Sequence, residues 1–450
     1  MPSRREFLAG TAVGATRAAW SADHTRSSVE LRTHDWFGDK LERFEFPPGW
    51  QVSTYHMQGY QAPVLAAQEI RKAILNPVGT KPLAEIAVGK RTATIAVDDM
   101  TRPTPAHDVV PHVVAELNAA GIRDENILFV IGHGAHPMLN GMEVAQKIGQ
   151  EAVRRHPWIN HNCWENLVDL GVTRHKNQVF ADTYYCNADV KITISGLKAH
   201  GYPGYGGGPK MILPGVCGIK TIRYNHYEVK QSAGPRRDAS GVEIIRMHEN
   251  EKRQDMIDAA RAVGVDFSVQ TVCNQDRKLA HVVAGDIVDA HNQAARYAVN
   301  HLATEYAKRA DIVVINAYPR GLEPQADLVW GTRGLKEGGS IVLIDQHPMG
   351  KAAWHYVDQL VFFQRAGGNY FKHREARKKR FPQARQLLWY SQYLQARELD
   401  MMDIPPETVG LRDWADVIER LKREHKGDVE VAVYPYTGIQ HGRATLDLPS

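Results

Sequence analysis

The sequence predicts an α/β fold of two domains, with parallel-rich sheets and an active-site cleft between them. A chain of 450 residues is long enough for about two or three domains. Its composition, 43% hydrophobic and 24% charged, is typical of a soluble globular protein. Strand, loop and helix also alternate in both halves of the chain. This order favours parallel sheets whose loops gather at one edge.

In the first half, three loops that carry polar residues each follow a predicted strand. These strands are short apolar runs at residues 92–98, 127–131 and 189–195. Apolar residues at helical spacing predict helices within residues 63–77, at 107–120 and at 142–155. The loops carry DMTRPTP, GHGAHPM and, after the third strand, His200. Because open α/β sheets bind ligands at the carboxyl ends of their strands, we expect the three loops to form one site.

The second half repeats this alternation. Helices are predicted at residues 254–263, 287–307, 322–336, 354–364, 383–397 and 412–425. Strands are predicted at residues 267–272, 279–284, 312–316, 340–344 and 429–434. The chain is therefore divided into a catalytic, cofactor-binding α/β domain at residues 24–275 and a second α/β domain at residues 276–450. The last strand of the second domain can return to the first.

Residues 1–23 are predicted to be an export signal. The run from Ser3 to Leu8, SRREFL, matches the twin-arginine pattern, and a weakly apolar segment of small residues follows it. Arg17 interrupts that segment, so a disordered tail with a chance Arg-Arg pair is the alternative. The first interpretation predicts a periplasmic protein and the second a cytoplasmic one. No later run reaches the roughly 20 apolar residues of a membrane span, so no membrane anchor is expected.

Charge and cysteine content disfavour two further kinds of site. The formal net charge of +4 is small and mixed in sign, so nucleic acid is not an expected partner. The four cysteines, Cys163, Cys186, Cys217 and Cys273, include no C-x-x-C pair, which argues against a zinc–cysteine site. A single disulfide among them stays open, and the sequence does not name its pair.

Residues 200–226, HGYPGYGGGPKMILPGVCGIKTIRYNH, bring two histidines, a glycine-rich loop and a lysine into one segment. The glycines permit close approach of a ligand and positive φ angles, and Lys210 stands at the end of the loop. A phosphate loop requires Gly-Lys-Ser/Thr, whereas Pro209 precedes this lysine and Met211 follows it. Binding of a nucleoside triphosphate is therefore excluded, which leaves a ligand loop or a glycine-rich surface loop.

Taken together, these motifs resemble the nickel-pincer lactate racemase family. The similar residues are Asp99-Met-Thr-Arg102-Pro, Gly134-Ala-His136 and the segment from His200 to His226. Lys210 stands 10 residues after His200, and His226 stands 16 residues after Lys210. This order and spacing make the set specific. The resemblance covers residues 92–228 well and the second domain loosely.

The resemblance implies a cofactor, nickel pyridinium-3,5-bisthiocarboxylic acid mononucleotide (the nickel-pincer nucleotide). Lys210 would hold it in a thioamide link, and His226 would complete the square-planar nickel coordination. His136 and His200 would be the acid/base pair, with Asp99 and Arg102 beside them. The cofactor would be lined by Asp99, Thr101, Gly206, Gly207 and Gly208, and the substrate by Arg102, Trp330 and Arg333.

The implied chemistry explains why histidines are needed. A carbon that bears hydrogen, hydroxyl and carboxylate loses a proton reluctantly, because the resulting dianion is poorly stabilised. Hydride transfer to an electron-poor pyridinium carbon, while a base takes the hydroxyl proton, leaves a planar 2-keto acid instead. Return to the opposite face inverts the centre, which requires a second base. Imidazole, with a pKa of about 6.5, suits both directions near neutral pH, and it also suits square-planar Ni(II).

The predicted function is racemisation or 2-epimerisation of a small-molecule 2-hydroxy acid, with cofactor-synthesis enzymes as transient partners. Ala135 and Pro137 stand where the family has threonine and arginine, and Pro209 stands where the lactate enzymes tend to have arginine. We therefore expect an acid larger than lactate, such as an aromatic or sugar acid.

Two other classes remain open. The first is a zinc-type metallohydrolase with His133, His136, His200 and His226 around the metal. The second is a non-catalytic binding protein for acidic metabolites. Under the favoured function, His112, His133 and His161 have no role and are predicted to be structural.

Overall fold

The structure, a computed structural model, describes residues 22–24, 27–201, 203–230, 236–324, 327–350, 367–369, 379–400 and 404–449. Two parallel-rich sheets organise these residues, and the predicted α/β class is confirmed. We call them the first sheet and the second sheet. Each has helices packed against it, because both faces of a parallel sheet must be covered.

The first sheet has six strands. In spatial order they are Leu279–Gly285, Phe267–Cys273, Val190–Gly196, Ala93–Val97, Ile127–Ile131 and Trp158–Asn160. All neighbours are parallel except the pair at the Leu279–Gly285 edge. Every residue of Ala93–Val97 is buried, because helices Ala67–Leu75, Ala106–Ala119 and Gly141–Ile148 cover one face and Ile219–Arg223 and Glu251–Val263 the other.

The second sheet has seven strands. Their order is Ala22–His24, Gln51–Tyr55, Glu430–Tyr434, Ala310–Asn316, Leu335–Ile344, Gln386–Tyr390 and Thr408–Leu411. Only the first pair is antiparallel. Successive side chains of a strand point to opposite faces, so Ile312 and Val314 pack toward helix Trp414–Glu424 while Val313 and Ile315 pack toward Trp330.

Short elements complete the described chain. The other α-helices are Leu83–Ala87, Gln150–Arg155, Thr183–Cys186, Asp289–His301 and Ala396–Leu399. One-turn 3₁₀ or π segments occupy Asp124–Asn126, Gly208–Met211, Tyr224–Glu228 and Leu328–Thr332. The small ladders pair Ser28–Thr33 with Lys40–Glu45, Leu167–Val172 with Gln178–Asp182, Ala199–His200 with Gly204–Tyr205, and Ala303–Thr304 with His441–Gly442. A further ladder joins Arg236–Arg237, Glu243–Ile245 and Ala444–Leu446.

The carboxyl edges of the two sheets face each other. Arg102, after the first-sheet strand Ala93–Val97, forms an ion pair of 3.0 Å with Glu323, after the second-sheet strand Ala310–Asn316. The N-terminal segment also joins both sides. Trp36 Nε1 donates to the Met100 carbonyl at 3.0 Å, and Asp35 accepts from the Gly321 amide.

The sheets do not divide the chain at one position. Gln51–Tyr55, near the start of the chain, lies in the second sheet, and residue 275 falls inside a hairpin of the first sheet. Strand Glu430–Tyr434 lies within the second sheet, and it is Ala444–Leu446 that pairs with Glu243–Ile245. The proposed domain limits therefore stay a prediction.

Several predicted helices differ from the structure. Residues 383–397 contain the buried parallel strand Gln386–Tyr390, because a short apolar run does not distinguish a strand from a helix. Residues 327–336 form the short turn Leu328–Thr332 and the start of a strand at Leu335. Within residues 322–336, positions 325 and 326 lie outside the described part of the chain. Pro324 disfavours a continuous helix there, and Gly334 adopts a φ of +77°. Residues 142–155 form two helices, since Gly149 has a φ of +97°.

Two predictions fall wholly or mostly outside the described residues. They are the export signal, of which only Ala22 and Asp23 are described, and the helix at residues 354–364. In the described part of the chain, every helix is too short or too polar to cross a bilayer. The four cysteines are all described and none forms a disulfide.

Candidate active site

His136 is held by the loop that follows strand Ala93–Val97. Its Nδ1 donates to Asp99 Oδ2 at 2.7 Å, and Asp99 also accepts from the amide of Thr101 at 2.7 Å and from its hydroxyl. Burial opposes ionisation of Asp99, yet the His136 ring and these donors hold the pKa of the carboxyl well below its usual range. A carboxylate on Nδ1 fixes the tautomer that leaves the Nε2 lone pair for other partners.

A buried lysine that the sequence did not single out supports this loop. Lys147 Nζ lies 2.6 Å from Asp98 Oδ1 and donates to the carbonyls of Asp99 and Arg102 at 3.0 Å. Asp98 accepts in turn from Thr104 Oγ1 at 2.6 Å. A lysine in the middle of an amphipathic helix usually signals a solvated face, so only the fold reveals this role.

Arg102 and Arg320 share one carboxylate from the second sheet. Arg102 Nη1 lies 3.0 Å from Glu323 Oε2, and Arg320 Nη2 contacts the same oxygen. The other oxygen of Glu323 is 3.8 Å from His136 Nε2. Burial opposes protonation of Arg102, but Glu323 raises its pKa. Two guanidinium groups therefore converge on a carboxylate beside His136, and sequence reasoning had identified only Arg102.

Lys210 and His200, which belong to the same segment of the sequence, lie in contact. Lys210 Nζ is 2.6 Å from His200 Nε2. Burial and then Arg102 lower the pKa of Lys210 well below its usual value, and burial and then Lys210 do the same for His200. The lowered pKa leaves the His200 ring neutral near neutral pH and favours the neutral form of the Lys210 amine, the form that can act as a nucleophile.

The glycine loop is shaped by its packing against the protein. The Gly208 amide donates to Gln270 Oε1 at 2.9 Å, and His291 Nε2 donates to the Gly206 carbonyl at 2.7 Å. A Cβ on Gly208, whose φ is +54°, would lie 2.5 Å from the His291 ring. Gly207 lines a cavity beside Lys210. The absence of side chains at these glycines thus lets Gln270 and His291 of the protein itself pack against the loop backbone.

His226 lies in the one-turn π-helix Tyr224–Glu228 and is half-buried. Its Nδ1 donates to the Ile222 carbonyl at 3.0 Å, which places the lone pair on Nε2. Metal-binding histidines commonly hold their second nitrogen in this way. His226 does not line either of the two cavities described next, so its place as a nickel ligand stays a prediction.

Two cavities meet at the His200–Lys210 pair. The larger, about 620 Å³, is lined from the first sheet by Lys198 and His200 and from the second by Arg320, Trp330 and Arg333. The smaller, about 30 Å³, is lined by Arg102, His133, His136, Gly207 and Lys210, among others. The predicted cleft between the sheets is therefore present, and the two second-domain residues chosen from the sequence face it.

The walls of the larger cavity carry both signs of charge. Burial lowers the pKa of Lys198 well below its usual value and raises the pKa of Asp327 to about 6. Arg333 stacks over the Tyr306 ring at 4.9 Å and lies 3.9 Å from Glu243. Such a surface can orient an anionic molecule while its apolar part meets Trp330.

The histidines named in the zinc alternative do not form a preorganised metal site. Within the described residues, no group of three or more His, Cys, Asp or Glu side chains has metal-binding geometry. The Nδ1 contacts of His136 and His226 are of the kind that metal-binding histidines make, so they do not decide between zinc and nickel.

Fold and site define the class of this protein. It is a two-sheet α/β protein whose interdomain cleft holds a carboxylate-bound histidine, a neutral histidine, a buried amine and paired arginines. These are the groups of an acid/base enzyme that acts on an anionic molecule.

Comparison with known proteins shows which family this chain is similar to. Residues 37–237 match the lactate racemase N-terminal domain. The chain is 26% identical over 304 residues to a lactate racemase of Lactiplantibacillus plantarum, covering 65% of this chain and 68% of that protein. It is 27% identical over 282 residues to a lactate racemase of Thermoanaerobacterium thermosaccharolyticum, covering 61% and 64% respectively. The predicted resemblance to the lactate racemase family, and with it an isomerase, is confirmed.

Solved structures show the same fold. The lactate racemase apoprotein of Thermoanaerobacterium thermosaccharolyticum superposes with a TM-score of 0.65 at 19% identity, over 92% of this chain and 100% of that one. A Thermotoga maritima protein gives a TM-score of 0.57 at 13% identity, over 85% and 99%. At these identities the likeness concerns the fold alone.

Proposed function

We propose that this protein racemises or 2-epimerises a 2-hydroxy acid larger than lactate, using a nickel-pincer nucleotide tethered to Lys210. The observation that carries the proposal is the 2.6 Å contact between Lys210 and His200 at the edge of a cleft that also contains His136. This contact supports the proposal because a candidate tether and two candidate bases then lie close together, where the two sheets meet.

The residues present fit such a cofactor. Burial lowers the pKa of Lys210 and so favours the neutral amine that acylation requires. The adjoining cavity of about 620 Å³ is in the range of small-molecule sites, which is on the order of 300–1,000 Å³. His226, whose Nδ1 donates to a backbone carbonyl, would be the nickel ligand, since imidazole suits square-planar Ni(II). When bound, the group would supply an electron-poor pyridinium carbon able to accept hydride.

The chain's own residues supply the proton transfers and the orientation. His136, fixed by Asp99, has Nε2 directed toward the Glu323 side of the cleft and can take or return the hydroxyl proton. His200, neutral because of burial and Lys210, can do the same from a second position. Arg102, Arg320 and Arg333 are among the basic residues that line the two cavities, and arginine side chains bind carboxylates bidentately.

The lining of the larger cavity supports a substrate larger than lactate. Trp330 and Arg333 both line it, and Trp330 is only 7% exposed, packed against Tyr306 and Tyr434. An aromatic ring or a polyol chain would find both an aromatic wall and polar groups there.

The proposal is tested on protein produced together with cofactor-synthesis enzymes. We expect a nickel-to-protein ratio near one, an intact mass above that of the bare polypeptide, and loss of optical rotation with at least one acid among lactate, mandelate and gluconate. Lys210→Ala should lose the mass adduct and the activity while remaining folded. A bare polypeptide mass in the wild type, or a Lys210→Ala variant that still racemises, would refute the proposal.

We further propose that the loaded enzyme is exported by the twin-arginine route, which carries folded proteins. The Arg4-Arg5 pair and a cofactor assembled in the cytosol support this proposal. Fractionation tests it, since periplasmic protein should carry the mass adduct and Arg4→Lys/Arg5→Lys should retain the protein in the cytosol. Periplasmic protein without the adduct from a cofactor-producing host would contradict it.

A further inference from the structure

His133 occupies a place in the site that the proposed mechanism does not use. It follows strand Ile127–Ile131, three residues before His136, and it is 5% exposed. It lines the cavity of about 30 Å³ together with Arg102, His136 and Lys210. A fourth basic side chain thus faces the same small space.

Neither ring nitrogen of His133 has a partner with full hydrogen-bond geometry within the described part of the chain. The backbone of His161 lies near enough to raise the pKa of the His133 ring, but by less than burial lowers it. The neighbouring ring, His161, lies 6.0 Å away between centroids and uses both its own nitrogens, on Asp182 at 2.9 Å and on the Cys217 carbonyl at 2.9 Å. A buried polar group without a partner costs about 1–3 kcal/mol. Such groups are rare in folded proteins and call for a specific explanation.

Packing alone does not explain this side chain. A leucine of similar volume would fill the space without the cost of two unpaired nitrogens. The cavity that His133 lines has room for about one water molecule or one small polar group. Its other polar walls are cationic or already engaged, because Asp99 is bound by His136.

We propose that His133 is a ligand-binding residue of this site, whose neutral imidazole hydrogen-bonds an oxygen atom of the bound molecule. That oxygen is either the hydroxyl or carboxylate of the acid or a polar atom of the group tethered to Lys210. The inference rests on the proposed function for the ligand's identity. The His133 ring supplies one hydrogen-bond donor and one acceptor to a region where the other basic groups are the guanidinium of Arg102 and the amine of Lys210.

Burial, with His161 second, lowers the pKa of His133 to about 4, so the ring is neutral at physiological pH. A neutral ring can both donate to a carboxylate and accept from a hydroxyl. A 2-hydroxy acid offers both groups on adjacent carbon atoms.

The test compares His133→Leu and His133→Gln with a matched control, His112→Leu, at a half-buried position of helix Ala106–Ala119. Ligand-free His133→Leu should unfold at the same temperature as the wild type or a higher one, because no internal hydrogen bond is lost. Its KM for the racemised acid, or its yield of covalently loaded protein, should worsen at least about tenfold, or about 1.4 kcal/mol. His133→Gln should lie between, and the control should show neither effect.

The two measurements, KM and covalent loading, show which molecule supplies the oxygen atom. A change in KM alone assigns the acid, and a change in loading by intact mass alone assigns the tethered group. A lower unfolding temperature in ligand-free His133→Leu would show that the nitrogens are used within the fold and would overturn the proposal. So would a stable variant with unchanged KM and loading.

These measurements also distinguish a failure of the proposed function from a failure of the proposed role of His133. In a wild type that is loaded but racemises no acid, the loading arm still decides the role of His133. If the wild type takes up no cofactor, the probe is the rise in unfolding temperature that lactate, mandelate or gluconate gives the apoprotein. Loss of that rise in His133→Leu supports the proposal, and its presence in the variant, or its absence from the wild type, overturns it.

Discussion

His136 and His200 were assigned the same role from the sequence, but their surroundings are opposite. His136 is bound at 2.7 Å by the carboxylate of Asp99, whereas His200 is in contact at 2.6 Å with the amine of Lys210. The charges that act on His200 are cationic, from Lys210, Arg102, Lys198 and Arg320, and all lower its pKa. The comparison teaches that one base has its orientation fixed by an acid, while the other is kept neutral by burial and cations.

This asymmetry has a mechanistic consequence. A carboxylate on Nδ1 stabilises the imidazolium that forms when His136 takes a proton. Lys210, Arg102, Lys198 and Arg320 act on His200 in the opposite sense and disfavour its imidazolium. We therefore expect the two directions of the reaction to differ in the pH dependence of kcat, with the direction that uses His200 as base keeping its rate to the lower pH, because a base with a lowered pKa stays unprotonated there.

We expect the largest loss of activity when the Lys210 amine, which contacts His200, is removed. Lys210→Met should abolish the covalent adduct and reduce racemisation to background, as measured by intact mass and optical rotation. The exposed Lys220→Met is the matched control and should retain both.

The same variant has a testable effect on stability. Folding lowers the pKa of Lys210. At any pH below the unfolded pKa of about 10.4, protonation of this amine therefore favours the unfolded chain. The native lysine therefore destabilises the fold at neutral pH, and this cost disappears as the pH rises toward that value. Denaturant unfolding should show Lys210→Met gaining stability over the wild type near pH 7 and the gain shrinking at alkaline pH. A gain that is constant with pH would contradict the neutral amine.

Removal of either base tests the two-base arrangement. His136→Gln and His200→Gln should each lower kcat by about 10²–10⁴-fold, the usual contribution of a general acid or base. Initial rates from each pure enantiomer, measured by chiral chromatography, should show the two variants impaired to different degrees in the two directions. Equal loss of rate in both variants and in both directions would contradict the proposed difference between the two histidines.

Asp99→Asn addresses the His136 side alone. The loss of a carboxylate that orients a functional histidine should cost about 10–100-fold in rate. Since folding lowers the pKa of Asp99, its carboxylate stabilises the fold above the unfolded pKa of about 3.9, and this stabilisation is lost as the pH falls through the folded value. Unfolding curves should show the variant less stable by about 1–3 kcal/mol at pH 7, with the difference vanishing in strong acid. A difference that persists in strong acid would show another cause.

Glu323→Gln tests the carboxylate that both arginines share. Removal of its charge frees Arg102 and Arg320 for the substrate carboxylate, so KM should fall by about tenfold, or 1.4 kcal/mol. The same change leaves two buried cations without their anion and should lower the free energy of unfolding by about 3 kcal/mol. An unchanged KM would mean that substrates do not use this arginine pair.

Arg333→Gln is expected to have the smallest effect. Its side chain is 31% exposed and its ion pair with Glu243 spans 3.9 Å, so solvent screens the charge. We expect KM to rise about threefold, under 1 kcal/mol, with kcat unchanged. A large fall in kcat would instead place Arg333 against the reacting atoms.

Much of the first sheet was accessible from the sequence. Ile127–Ile131 matches the predicted limits, and Ala93–Val97 and Val190–Gly196 differ from them by a residue or so, because short apolar runs between loops are strong signals. The second half was less accessible. Residues 322–336 and 383–397 both have apolar patterns that fit a helix. In the first segment Gly331 and Gly334 disfavour one, and in the second Gln386–Tyr390 is a strand between neighbouring strands of the sheet.

The sequence by itself determined the residue types of the site, their order along the chain and the strands that deliver them, because strand ends and rare motifs are local properties. Only the tertiary structure decided which of these residues touch. Glu323, Arg320 and Lys147 are far in sequence from the groups they hold, and nothing local indicates their ion pairs. The electrostatic difference between the two histidines arises in the same way, because burial and charge at a point depend on every chain segment that folding brings there.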